Sequence, residues 1–120
     1  MATTLGNINL FVRDIEEAKR FYIEGIGLVE DEERSHPPSF VILQAGACTL
    51  TLQDASAPNA ALEPSRGIEL GFAVEDVEGM RARLANWGST VSEVQHMGWG
   101  TGFDAVDPEG HRLTIYRMRS

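Results

Sequence analysis

The chain has 120 residues, 42% hydrophobic and 23% charged, which suits one compact domain large enough to bury a core without staples. A lone cysteine, Cys48, excludes an internal disulfide framework and a CxxC metal site, no apolar run is long enough to span a bilayer, and no basic-then-apolar signal peptide opens the chain, so a cytoplasmic protein is expected. The net charge of −8 argues against nucleic acid, whose phosphates need a basic patch, and weakly favours neutral or cationic ligands.

The first structured segment is "NINLFVRDIEEAKRFYIEGIGL", starting at Asn7. Ile8, Leu10 and Val12 alternate as the buried face of a strand, which turns Asn7, Asn9 and Phe11 the other way. Asp14 then reads as a helix N-cap, with Glu17 placed to complete a capping box. Ile15, Ala18 and Tyr22 share one helical face with Phe21 beside it, and Gly25 or Gly27 ends the helix. "EDEER" (Glu30 to Arg34) reads as a solvated edge and His36, in "RSHPPS", as a loop residue. "ACTLTL" is a strand burying Leu50 and Leu52 and turning Thr49 and Thr51 outward. The Ala-, Pro- and Ser-rich stretch over residues 54–66 reads as a linker.

The second segment, "ELGFAVEDVEGMRARLANWGSTV", starts at Glu69. Its strand is expected to bury Ile68, Leu70, Phe72 and Val74 and to turn Glu69, Gly71 and Ala73 away. Val77, Met80 and Leu84 form the helix stripe, and Gly88 is the exit. "VQHMGWGTGF" follows, in which glycines 98, 100 and 102 allow either a mobile flap or close packing. His96 in that stretch is a candidate acid–base group, because an unperturbed imidazole titrates near neutral pH. "DPEGHRLTIY" closes the chain: a tight turn, then a strand with Leu113 and Ile115 inward and Arg112, Thr114 and Tyr116 outward.

The two segments overlay. Val12-Arg13-Asp14-Ile15-Glu16 matches Val74-Glu75-Asp76-Val77-Glu78, and Leu50-Thr51-Leu52 matches Leu113-Thr114-Ile115, at nearly one common offset. One supersecondary unit is therefore repeated: a strand, a helix and about three further strands, an α+β class. A single domain over 1–120 is expected, built of module 1–53 and module 67–120. If each module is a curved open sheet, Asn7, Thr51, Glu69 and Thr114 are paired by pseudo-symmetry and should converge in a trough. The competing reading is a polar, water-filled face with no ligand.

Three motifs, "NINLFVRDIEEAKRFYIEGIGL", "GIELGFAVEDVEGMRARLANWG" and "FDAVDPEGHRLTIY", in this order around a duplicated frame, resemble the glyoxalase/bleomycin-resistance/dioxygenase superfamily, also called the vicinal oxygen chelate fold. The resemblance implies tandem βαβββ modules forming a U-shaped cavity, completed in a homodimer. In metal-dependent members His, Gln or Glu ligands come from the first and last strands of both modules, and those positions fall here on Asn7, Thr51, Glu69 and Thr114. Only Glu69 is a credible strong ligand, and threonine hydroxyls and an asparagine amide bind zinc, nickel, iron or manganese poorly. No cofactor is expected and a divalent metal is disfavoured.

The lead expectation is a metal-free protein that binds a small aromatic or heteroaromatic molecule and sequesters it, as antibiotic-resistance members do. Asn7, Asn9, Thr51, Glu69, Arg112 and Thr114 would supply polar contacts, with Phe11, Trp99 and Tyr116 as stacking surface. The alternative is an enzyme, a lyase, isomerase or dioxygenase relative using Glu69, with or without His96 and a metal. A third reading is a dimeric scaffold that binds nothing.

Overall fold

A computed structural model describes residues 2–56 and 67–119. Two compact units divide the chain, residues 1–63 and 64–120. Each has the same plan, because each repeats the same alternation of strand and helix.

In the first unit β1 (Asn7–Val12) leads to α1 (Ile15–Arg20), which continues as a π-helical turn over Phe21–Ile26. The strands β2 (Val29–Glu30), β3 (Phe40–Ala45) and β4 (Cys48–Asp54) follow. They form one sheet in the order β1-β4-β3-β2, with β1 parallel to β4 and the other pairs antiparallel. Asp14 starts the helix as expected, its Oδ1 accepting from the Glu17 backbone N–H at 3.0 Å. Gly27 ends it at φ 98°, a left-handed backbone that a side chain would disfavour. Ala18, Phe21 and Tyr22 bury against Leu10, Val12, Val41, Leu43, Leu50 and Leu52. Each such fully buried aliphatic side chain contributes about 1.5–3 kcal/mol relative to exposure, so this single apolar face sets the strand register. The "EDEER" edge is partly tied down: Glu30 meets Lys19 at 3.1 Å, and Asp31 meets Arg34 at 3.6 Å.

The second unit runs β5 (Leu70–Ala73), α2 (Val77–Trp87), β6 (Gln95–Met97), β7 (Gly100–Val106) and β8 (Arg112–Met118). Its sheet order, β5-β8-β7-β6, reproduces the first with β5 parallel to β8. Asp76 caps α2 by accepting from the Gly79 N–H at 2.9 Å. Val77, Leu84, Phe103, Ala105, Leu113 and Ile115 form the core of this unit. The repeat holds at the level of pairing: Ile8 opposite Leu50 becomes Leu70 opposite Leu113, and Leu10 opposite Leu52 becomes Phe72 opposite Ile115.

Two expectations need correction. Ile68 is 59% exposed, because β5 begins only at Leu70 and the alternation upstream of it carries no strand. The expected linker over 54–66 begins one residue too early, since Asp54 still belongs to β4, and residues 57–66 lie outside the described residues. The glycine-broken stretch after His96 forms the β6–β7 hairpin, with Gly100 and Gly102 inside β7.

Candidate functional site

In each unit the face of the sheet opposite the helix carries the predicted polar and aromatic residues. In the first unit β1 presents Asn7, Asn9 and Phe11 on that face, opposite Thr49, Thr51 and Gln53 of β4. Asn7 Oδ1 accepts from Thr49 Oγ1 at 2.7 Å and from Thr51 Oγ1 at 2.8 Å. Asn9 Nδ2 donates to Gln53 Oε1 at 2.7 Å. Thr51 is buried and Phe11 half-buried. This face is a neutral network whose members largely satisfy one another.

The second unit places different chemistry at the same register. Arg112, the counterpart of Thr49, donates from Nη2 to Glu69 Oε2 at 3.3 Å, and both side chains are well exposed. Thr114, the counterpart of Thr51, does not meet Glu69 but donates from Oγ1 to Asp104 Oδ1 at 3.1 Å. Glu69 stands one residue before β5, so its neighbour on β8 is Arg112 rather than the central threonine.

Farther along β8 the face becomes aromatic. The pairing partners of Tyr116 are Ala73 on β5 and Gly102 on β7. A Cβ at Gly71 would lie 3.3 Å from Tyr116 Cε1, and one at Gly102 would lie 2.8 Å from the Ile115 carbonyl oxygen and 3.2 Å from Tyr116 Cβ. Gly71 therefore leaves the room in which the phenol lies, and Gly102 lets β7 approach β8 closely at Tyr116. Trp99, from the β6–β7 turn, stands edge-on to Tyr116 with ring centroids 6.0 Å apart and an interplanar angle of 74°. Its own ring is 43% exposed, and the backbone N–H of Arg119 holds its carbonyl at 2.8 Å. A half-buried tyrosine beside an exposed tryptophan supplies the aromatic surface on which a planar ligand stacks.

The histidines lie elsewhere. His96 pairs with Thr101, in the strand phase of buried Phe103 and Ala105, and its Nδ1 is 3.2 Å from Thr101 Oγ1. It is thus on the opposite side of the sheet from Thr114 and Tyr116. His36 is exposed in its loop beside Phe40. His111 is half-buried, with Nδ1 2.8 Å from Oδ2 of Asp107, a carboxylate whose side chain is fully enclosed. Asp107 Oδ1 also accepts the backbone N–H groups of Glu109 and His111, each at 2.9 Å.

Two residues of these faces escaped the sequence reading, Gln53 and Asp104. Asp104 was accessible in principle: counting back along a hairpin from the Asp107-Pro108-Glu109-Gly110 turn sets it opposite Thr114.

A divalent metal can be tested against the donors present. Asn7 offers a carbonyl oxygen that already accepts two hydroxyls, Glu69 faces a guanidinium, and Thr114 is spent on Asp104. Among the described residues no three His, Cys, Asp or Glu side chains group closely enough to hold a metal ion. This donor set does not fit zinc, nickel, iron or manganese, which take several imidazole, carboxylate or thiolate ligands.

Two βαβββ units in tandem, each with its helix on one face of a four-stranded sheet, define the class. The chain belongs to the Glyoxalase/Bleomycin resistance protein/Dioxygenase superfamily, whose family model matches residues 4–115. A lactoylglutathione lyase from Agrobacterium tumefaciens shares 18% identity with it at a TM-score of 0.75, over 97% of this chain and 94% of that one. The antibiotic binding protein TnmS3 from Streptomyces sp. CB03234 shares 24% identity at a TM-score of 0.78, over 99% of each chain. A glyoxalase-related enzyme from Fulvimarina pelagi shares 20% identity at a TM-score of 0.82, over 97% of this chain and 88% of that one. At these identities the likeness establishes the fold. Among curated proteins there is no match. No helix of the described residues is long and apolar enough to cross a membrane.

Proposed function

We propose that this chain binds a small planar aromatic or heteroaromatic molecule and sequesters it without a metal, in the manner of an antibiotic-binding protein. The observation that carries the reading is the Tyr116–Trp99 pair, with Trp99 exposed and the Tyr116 ring beside Gly71, on a sheet face that also holds Thr114, Arg112 and Glu69. Flat aromatic surface beside a few polar groups is the usual composition of a small-molecule site. On the first unit's own sheet face, Asn7, Asn9, Phe11 and Thr51 are the residues proposed as ligand contacts. Likeness to an antibiotic binding protein supports sequestration as the specific form. The assembly this reading expects is a cytoplasmic homodimer with no nucleic-acid partner.

The test is calorimetric titration of the full chain with bleomycin and with planar tricyclic dyes. Saturable binding is expected, weakened roughly tenfold in Tyr116→Ala, in keeping with about 1–3 kcal/mol for a stacked ring. A chain that binds none of these probes refutes the proposal. Glu69→Gln separates it from the enzyme reading: a variant that still binds but loses turnover of a bound compound would make the protein a lyase, isomerase or dioxygenase relative.

A further inference from the structure

We infer that Asp104 reads the ligand, and that the molecule bound carries a positively charged hydrogen-bond donor beside its aromatic plane. This rests on the stacking reading and narrows its ligand class.

The charges of this sheet face decide the matter. It holds two carboxylates and one guanidinium: Glu69, Asp104 and Arg112. Arg112 is committed to Glu69 at 3.3 Å, which leaves Asp104 as the charge without a charged partner. Its Oδ1 takes one neutral hydroxyl, from Thr114, and its backbone N–H is held by Ser92 Oγ at 2.9 Å. Oδ2 accepts nothing from the described residues. The carboxylate is exposed, so its remaining acceptor capacity faces solvent.

Its position is equally telling. Asp104 lies two residues along β7 from Gly102, the partner of Tyr116, so roughly 7 Å separates the two positions at the usual strand rise. On its other side a cavity of about 290 Å³ opens, bounded by Asp104, Val106 and Arg112 and by Thr90, Val91 and Ser92 of the neighbouring segment. A ring stacked on Tyr116 therefore has Asp104 within reach of a short substituent, with the cavity beyond it. A ligand amine or amidinium at that junction meets a carboxylate oxygen with no other donor, and the adjoining tyrosine and tryptophan faces also favour a cation. An anionic ligand meets Asp104 and Glu69, with the one guanidinium already paired.

The test is titration of the full chain, at low salt, with cationic 9-aminoacridine and with anionic anthracene-9-carboxylate, two tricycles of similar size. The wild-type chain is expected to prefer 9-aminoacridine, and Asp104→Asn to weaken that dye about tenfold while leaving the anthracene unchanged or tighter. Thr114→Val should keep the preference, since it removes the hydroxyl and not the charge. If both dyes bind equally and Asp104→Asn changes neither, Asp104 does not read the ligand, although the stacking site stands. If neither dye binds, both the stacking reading and this one fail. Should Asp104→Asn melt far below wild type, the wild-type ratio decides: equal affinity for the two dyes overturns the inference.

Discussion

Replacing Asp107 by alanine should be among the most damaging single changes in the second unit. The side chain is fully enclosed and accepts from the Glu109 N–H, the His111 N–H and His111 Nδ1 at 2.8–2.9 Å. Those bonds fold the turn that joins β7 to β8 and so set Asp104 opposite Thr114 and Gly102 opposite Tyr116. A hydrogen bond to a charged group contributes about 1.5–3 kcal/mol, and a donor left without a partner costs about 1–3 kcal/mol. Glu109 and His111 are only half-buried, so water re-solvates part of what is lost. The net expectation for Asp107→Ala is therefore about 2–4 kcal/mol, below the plain sum. For a chain of this size that is a fall in Tm of roughly 8–16 °C. Asp107→Asn keeps an oxygen for the two backbone donors and should cost about half as much. Urea unfolding followed by circular dichroism measures both, with the slope checked for two-state behaviour. If Asp107→Ala lies within 0.5 kcal/mol of wild type, on the order of an ordinary surface substitution, the turn is not held by this carboxylate and the reasoning fails.

Gly102→Ala should cost about 1–3 kcal/mol, because the new methyl meets the Ile115 carbonyl at 2.8 Å and backbone must move; it should also lift Tyr116 and weaken dye binding, both readable from melts and titrations of one preparation. Asn7→Ala removes the shared acceptor of Thr49 and Thr51 and leaves the buried Thr51 hydroxyl seeking another, an expected loss of about 1–2 kcal/mol by chemical denaturation. The Asp54 carboxyl should titrate below its usual 3.8, chiefly because it accepts the Ser56 backbone N–H and secondarily because of the Ser56 hydroxyl. A carboxyl depressed in the folded state contributes stability above pH 3.8 that is lost as pH falls through the lower folded value. Carbon-detected NMR titration of Ser56→Ala should therefore show most of the depression retained, and a full return to 3.8 would contradict the assigned cause.

Much of the fold was legible because its two signals are local. The alternation of Ile8, Leu10 and Val12, and of Leu113 and Ile115, gives strands and their buried faces directly. Asp14 and Asp76 sit where a helix needs an acceptor, and both cap. The repeat offset then implied one sheet plan for both halves. Partnerships across the open faces were less legible, for a physical reason. Glu69 and Arg112 are 43 residues apart, and which of Arg112 or Thr114 meets the carboxylate depends on a register that local pattern does not encode. His96 shows the same sensitivity, since in a strand a shift of one residue exchanges the two faces, and its pairing with Thr101 puts it away from Tyr116. Asp104 was overlooked because it lies between buried Phe103 and Ala105, where attention goes to the core.

The two units share a register and differ in chemistry, and the difference follows from where each face lies. The helix-facing positions are constrained by burial: Leu50 and Leu52 are answered by Leu113 and Ile115, and a polar group at any of them would be desolvated without a partner. On the opposite faces polar groups keep a partner or solvent, as the buried Thr51 hydroxyl keeps Asn7, so Asn7, Thr49 and Ile42 in one unit stand where Glu69, Arg112 and Asp104 stand in the other. In the first unit the substitutions leave a neutral network that consumes its own donors and acceptors. In the second they leave an ion pair, a carboxylate held by one neutral hydroxyl and an aromatic pair. The contacts we propose on this unit's face are therefore carried by side chains that the core does not constrain.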